Sequence, residues 1–281
     1  MPINWYPGHM AAARREIRDA MPKVDLVIEV LDARIPFSSE NPLVAELRGD
    51  KPCIQILNKS DLADPNATAA WLAVIGSEPR KLAMTHHHHQ HHLLRTVMEM
   101  AGDLMPDRNP KLGPVRAMIL GIPNVGKSTL INRLAGRAIA KTGNKPAVTQ
   151  EQQRIEVKGE LILLDTPGFL WPKLTPEVCG YRLAVTGAIS DRVVDPEDLA
   201  AFTVNFLMNR YPEALRATYG LGDVPPDQVL EGIGRRRGFL GKGGVVDLHK
   251  AADRLILDLR AGTLGRISLE TPADWHGGRG E

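Results

Sequence analysis

Only two cysteines occur in 281 residues, Cys53 and Cys179. They lie far apart and match no metal or redox spacing, which argues against a disulfide scaffold and suits a reducing cytosol. No run approaches the roughly 18 apolar residues of a membrane span. The start, Met1-Pro2-Ile3-Asn4-Trp5, lacks the basic-then-apolar order of a secretory signal. The expectation is a cytoplasmic protein, a monomer, with no membrane contact. A bulk charge of one sign is missing too. Residues 1–175 carry a net +4 and residues 176–281 a net −2, giving the overall +2. Composition alone therefore does not announce a nucleic-acid binder, and any RNA contact must come from local patches. The length sets a prior of about two domains, and 43% hydrophobic residues suffice for a substantial core.

Val24 to Leu31 and Cys53 to Leu57 are short, β-branched or apolar runs that read as buried strands. Asp64-Pro65-Asn66 opens a helix, with Trp71, Leu72 and Ile75 on its apolar face. A short strand is expected over Leu82 to Thr85 and a helix over Leu93 to Met100, with Gly102 as its stop. Residues 102–114, with three prolines and two glycines counting Pro114, read as a linker. Val115 to Leu120 is a strand and Lys127 to Leu134 the helix after it, ending near Gly136. Gln152 to Lys158 and Leu161 to Asp165 are two strands joined at Gly159. Such alternation implies a mainly parallel sheet covered on both faces.

After about Pro176 no convincing strand run appears. Asp195-Pro196-Glu197-Asp198 is a helix start, with a capping Asp, then Pro, then acids in the first turn. Phe202, Phe206 and Leu207 are candidates for its buried face. Leu248, Ala252, Leu255, Ile256 and Leu259 share a helical stripe, with Gly262 as the stop. The expected architecture is α/β over residues 1–175, followed by a smaller all-helical domain over 176–281.

Gly121 to Thr129 fits G-x-x-x-x-G-K-[ST] between a strand and a helix, as phosphate binding requires. Its glycines let backbone N–H groups wrap phosphates, and the helix N-terminus adds a favourable dipole. Asn124, Val125, Gly126, Lys127, Ser128 and Thr129 are the phosphate-binding candidates. Lys127 is suited to the outer phosphates and the Ser128 hydroxyl to Mg²⁺. Asn58-Lys59-Ser60-Asp61 follows a strand. Asp61 can accept two hydrogen bonds from guanine's ring N–H and exocyclic amine, a pair adenine cannot supply. Asn58 can address N7, and the Lys59 stem can cover the ring. Asp165-Thr166-Pro167-Gly168 ends another strand. Asp165 would hold Mg²⁺ through water, and the Gly168 N–H would bond the γ-phosphate. Thr149, in the polar stretch between, could close over Mg²⁺. Together these motifs point to GTP and GDP as ligands. The guanine motif precedes the phosphate loop, the reverse of the usual order, so the GTPase domain reads as circularly permuted.

One residue type is absent where hydrolysis would use it. Many GTPases place a glutamine after Asp-x-x-Gly to orient water. Here Phe169 and Leu170 follow.

The rotated order, Asn4-Trp5-Tyr6-Pro7-Gly8-His9-Met10, Asp32-Ala33-Arg34-Ile35-Pro36 and the tail Asp258 to Arg266 together resemble the ribosome biogenesis GTPase A family. The likeness covers nearly the whole chain. It implies a GTPase that assists assembly of the large ribosomal subunit, with a C-terminal helical rRNA-binding domain. Turnover would be slow alone and stimulated by ribosomal particles. It also implies that His9 replaces the missing glutamine as the catalytic group, and that K⁺ activates, with Asn124 as its ligand. Two departures stand out: Pro146-Ala147 where the family has Pro-Gly, and a blurred fifth motif at Thr85-His86.

Arg235-Arg236-Arg237 and Lys242 sit among glycines and read as a mobile basic loop for rRNA phosphates, against a merely solvated loop. His86 to His89 with His91 and His92 reads as a solvated histidine-rich loop rather than a built metal site. The alternative function is a nucleotide-gated rRNA-binding scaffold whose turnover is incidental. A phosphotransferase using the same loop is a further alternative, and Asp61 argues against it.

Overall fold

The structure is a computed structural model that describes residues 8–87, 90–140, 153–171, 174–190, 194–222 and 224–275, with side chains from Arg14 onward. Six strands build one sheet: β1 (Leu26–Asp32), β2 (Cys53–Asn58), β3 (Lys81–His86), β4 (Val115–Gly121), β5 (Gln153–Val157) and β6 (Leu161–Asp165). Their spatial order is β3-β2-β1-β4-β6-β5. Every neighbouring pair is parallel except β5 with β6. β1 and β2 are buried along their whole length, which explains their unbroken apolar character.

The chain enters mid-sheet at β1, steps outward through β2 and β3, and then returns to lay β4 beside β1. It continues on the other side to β5 and β6. The direction of travel therefore reverses between β1 and β4. Such a switch point opens a crevice beyond the carboxyl ends of the strands. All five parallel strands point their carboxyl ends to that edge. Circular permutation changes where the chain starts, and the crevice stays where this strand order puts it.

The helix Leu93–Leu104 runs past Gly102, the expected stop. Glycine within a helix costs only about 1 kcal/mol, and Leu93, Val97 and Ala101 bury a face that outweighs it. The expected linker therefore shrinks to the residues after Leu104.

Beyond β6 the described elements are helical: Glu177–Val185, Pro196–Arg210, Pro212–Tyr219, Pro226–Arg237 and Leu248–Ala261, with short 3-10 turns. Asp195 caps its helix as expected, accepting from the Glu197 N–H at 2.8 Å. The buried face of that helix is Leu199, Ala200, Thr203, Val204 and Leu207, while Phe202 and Phe206 flank it half-buried.

The basic triplet departs from expectation. Arg235, Arg236 and Arg237 form the last turn of a helix, not a loop. The dipole at a helix C-terminus favours cations there, and Gly238 ends the helix in the left-handed region. The three also differ. Arg235 pairs with Glu231 at 2.6 Å on the same helix. Arg237 reaches inward to the buried Asp258 at 3.4 Å and lies over the Tyr219 ring. Asp258 also takes Arg254 at 2.7 Å and the Tyr219 hydroxyl at 2.7 Å.

The chain then turns back. Residues 262–275 leave the helical part and pack on the sheet part. Trp275 stacks on Phe37 with centroids 3.8 Å apart. Glu270 is fully enclosed and takes the Ser38 hydroxyl at 2.6 Å and Arg182 at 3.0 Å. One apolar cluster includes Val30 and Ile119 of the sheet with Leu207 and Leu255 of the helices. No helix among the described residues is long and apolar enough to cross a membrane.

Candidate nucleotide-binding site

The three sequence motifs meet at the carboxyl edge of the sheet. Asn58 ends β2, Gly121 ends β4 and Asp165 ends β6. Residues separated widely in sequence thereby face one crevice.

The phosphate loop continues from β4 into the helix Lys127–Ala135. Gly126 has φ of +96°, and a Cβ there would lie 2.2 Å from the Asn58 amide nitrogen. Only glycine meets both demands. Gly168 also lies against the loop: its Cβ would lie 3.1 Å from Pro123 Cα. The Gly168 backbone is thus packed directly on the phosphate loop. Ser128 occupies the first helical turn after Lys127, half-buried, and Thr129 is exposed.

Lys127 and Asp165 form a short buried ion pair. Burial pushes the Lys127 ammonium below its ordinary pKa, and the Asp165 carboxylate opposes that. The other Asp165 oxygen, Oδ2, is buried without a hydrogen bond among the described residues.

The guanine motif is wired into the loop. Asn58 donates through Nδ2 to the Val125 carbonyl at 2.8 Å. Its Oδ1 faces His86 Nδ1 at 2.8 Å, so that ring nitrogen carries the proton. His86 ends β3 and is buried, which separates it from a solvated histidine tract. It stands where the blurred fifth motif falls. Lys59 adopts a left-handed φ of 59°. Its ammonium donates to Asp32 at 3.0 Å and to the Asn124 carbonyl at 2.9 Å.

Asp32 and Arg34 explain the Asp32-Ala33-Arg34 signature after β1. Arg34 is enclosed and holds Asp32 with two bonds, at 2.9 and 2.7 Å. Burial alone would raise the Asp32 carboxyl, but Arg34 and Lys59 outweigh it and hold it well below the usual range. Burial disfavours charge on Arg34, and Asp32 and then Asp61 overcome that and raise its pKa. Asp61 itself is half-buried. In the sequence, Asp32 and Arg34 stand out only through the family resemblance of Asp32-Ala33-Arg34-Ile35-Pro36.

Comparison with known proteins agrees with this geometry. Residues 116–212 match a family model described as "50S ribosome-binding GTPase". A ribosome biogenesis GTPase A of Priestia megaterium is 43% identical over 98% of this chain and 98% of its own. The Thermotoga maritima relative of the same name is 30% identical over 97% of this chain and 95% of its own.

The chain belongs to the ribosome biogenesis GTPase A family.

Two solved structures of YlqF from T. maritima, one GDP-bound and one GNP-bound, resemble this GTPase at TM-scores of 0.67 and 0.66. Both are 27% identical, covering 92% and 93% of this chain and 100% and 98% of theirs. The permuted GTPase fold expected from motif order is thus the fold observed. This GTPase binds guanine nucleotide and hydrolyses GTP.

Magnesium fits the residues present. The unpartnered Asp165 Oδ2 is a buried carboxylate oxygen suited to a hydrated dication, and Ser128 sits at the adjoining helix start. An ion held by Asp165 and Ser128 would supply positive charge against the phosphates. Phe169 and Leu170 are fully buried and belong to the main apolar cluster. Asn124 donates through its side chain to the Gly187 carbonyl at 2.8 Å, beside the helix Glu177–Val185. Thr149, Pro146 and Ala147 lie outside the described residues. So do the side chain of His9, in the helix Gly8–Ala20, and both His88 and His89. Among the described residues no group of three or more metal-binding side chains occurs. Lys242 opens a short exposed turn after the helix Pro226–Arg237.

Proposed function

We propose that this GTPase is a switch on the precursor of the large ribosomal subunit, working as a cytoplasmic monomer. Residues 1–175 carry the nucleotide and residues 176–281 the rRNA. The carrying observation is the wiring of Asn58 and Lys59 to the phosphate loop, which unites base and phosphate motifs in one crevice. Asn58, Lys59 and Asp61 read guanine. Asn124, Val125, Gly126, Lys127, Ser128, Thr129 and Gly168 take the phosphates. Ser128, Thr149 and Asp165 serve Mg²⁺, and Asn124 serves K⁺ through its side-chain oxygen.

Arg235, Arg236, Arg237 and Lys242 meet rRNA phosphates. The exposure of Arg235, Arg236 and Lys242 supports this, whereas the Arg237 pairing to Asp258 gives that residue an inward role as well. The family names of its relatives support a ribosomal partner. His9 orients water when the particle is bound, which accounts for an Asp165–Gly168 motif whose following side chains, Phe169 and Leu170, are committed to the core.

That same burial also favours the second reading, an rRNA-binding scaffold with incidental turnover. GTP turnover with and without large-subunit particles, in potassium and in sodium, decides between them. Stimulation by particles, lost in His9→Ala, is the expected result. A basal rate that particles leave unchanged selects the scaffold.

A further inference from the structure

The loop that carries Asp61 is held by the far end of the chain. Arg266 donates from Nε to the Ala63 carbonyl at 2.9 Å and from Nη2 to the Ser60 carbonyl at 3.0 Å. The Ile267 N–H donates to the Leu62 carbonyl at 2.9 Å. The Asp64 N–H donates to the Ser268 hydroxyl at 3.1 Å. Backbone on both sides of Asp61 is therefore gripped by residues 266–268. From within, the Ser60 N–H and hydroxyl both donate to the His86 carbonyl at 3.1 Å.

The tail reaches this position through a sharp turn. Gly262 closes the helix Leu248–Ala261 with φ of +74°, and a Cβ there would lie 2.7 Å from Leu62 Cδ2. The end of the helical part thus rests on the guanine loop itself.

We propose that Arg266 is a positioning residue for guanine selection. It fixes the backbone of residues 60–63 so that the Asp61 carboxylate meets the paired N–H groups of the base. The inference rests on the reading of Asp61 as the base reader. An arginine suits the task because its planar fork presents two donors in fixed geometry to two carbonyls. A lysine offers one point charge on a flexible stem. A two-bond contact between carboxylate and base depends steeply on angle and distance, so loosening the loop weakens that contact before it weakens phosphate binding.

The test uses the full chain with Mg²⁺ and measures GDP and IDP affinities by calorimetry. Inosine keeps the ring N–H and the phosphates but lacks the exocyclic amine. The unaltered chain should prefer GDP by roughly tenfold or more. In Arg266→Ala, GDP affinity should fall roughly tenfold and IDP affinity by at most about threefold, so the preference shrinks. Arg266→Lys should lie between, and it carries the same comparison if the alanine chain does not fold. Equal losses for both nucleotides, or an unchanged ratio, would overturn the proposal. Asp61→Asn separates the two layers of the argument. It should abolish the GDP preference and favour XDP. If it leaves GDP binding intact, the reading of Asp61 fails. If it acts as expected while the Arg266 variants keep the ratio, only the brace fails.

Discussion

The side-chain amide of Asn58 donates to the carbonyl of Val125 at 2.8 Å, across 67 residues of sequence. A residue of the guanine motif thereby fixes the shape of the phosphate loop. Asn58→Ala should leave that buried carbonyl unsatisfied and the His86 ring without its acceptor, a loss of about 1–3 kcal/mol. GDP and IDP affinities should both fall, roughly five- to a hundredfold. Titration of both nucleotides checks this, and GDP affinity within about twofold of the unaltered chain would dismiss the tether.

Lys127 and Asp165 hold one another in a buried ion pair where the phosphate loop meets the end of β6. Removing one member of a buried ion pair costs about 3–5 kcal/mol, because the other charge is left alone. Lys127→Ala should therefore lower thermal stability as well as nucleotide affinity. Asp165→Asn should keep much of the Mg²⁺-free GDP affinity while losing the gain that Mg²⁺ brings. Binding curves with Mg²⁺ and with a chelator separate these effects. A full Mg²⁺ gain in Asp165→Asn would remove that residue from the metal site.

Glu29 lies in the middle of β1, enclosed, beside Glu40, and accepts from Gln55 at 2.8 Å. Burial first, and then repulsion from Glu40, pushes its pKa up to about 8. A carboxyl raised in the fold keeps its proton there while the unfolded chain has released it. Stability should therefore fall as pH rises from about 4.5 towards 8, by up to about 1.4 kcal/mol per unit for a single group. Glu29→Gln should flatten this slope, and thermal melts across that range measure it. A slope unchanged by the substitution would assign it to other groups.

The candidate site was legible because phosphate and guanine recognition use short contiguous motifs at strand ends. Lys127, Asp61 and Asp165 become candidates because three such motifs occur together in one chain. The wiring was not legible. Asn58 to Val125 and Arg266 to Ser60 span 67 and 206 residues, and no local pattern encodes such contacts. The triplet Arg235-Arg236-Arg237 reads as loop in the sequence because Gly232 and Gly234 before it and Gly238 after it depress helix propensity. Tertiary packing overrides that propensity: a Cβ on Gly234 would lie 2.2 Å from Val246, so this glycine makes room for the neighbouring segment. The helix Glu177–Val185 also escaped notice, since nearly every one of its positions from Cys179 to Val185 is buried and no amphipathic stripe remains to be read.

The arginine triplet invites a test that separates folding from RNA binding. Arg237 pairs with the buried Asp258 and covers the Tyr219 ring, whereas Arg235 pairs with exposed Glu231 on its own helix. Exposed i,i+4 pairs contribute about 0.3–0.5 kcal/mol, so Arg235→Ala should barely move the melting temperature. If Arg235 meets a phosphate, that variant should still bind ribosomal particles more weakly, with a salt slope smaller by about one. Arg237→Ala should instead lower stability by about 1–2 kcal/mol, because a buried carboxylate loses one of its partners. Denaturant melts paired with particle binding at two salt concentrations distinguish the two roles. An Arg237→Ala chain as stable as the unaltered one, with a reduced salt slope, would make Arg237 a surface contact rather than a prop for the helical part.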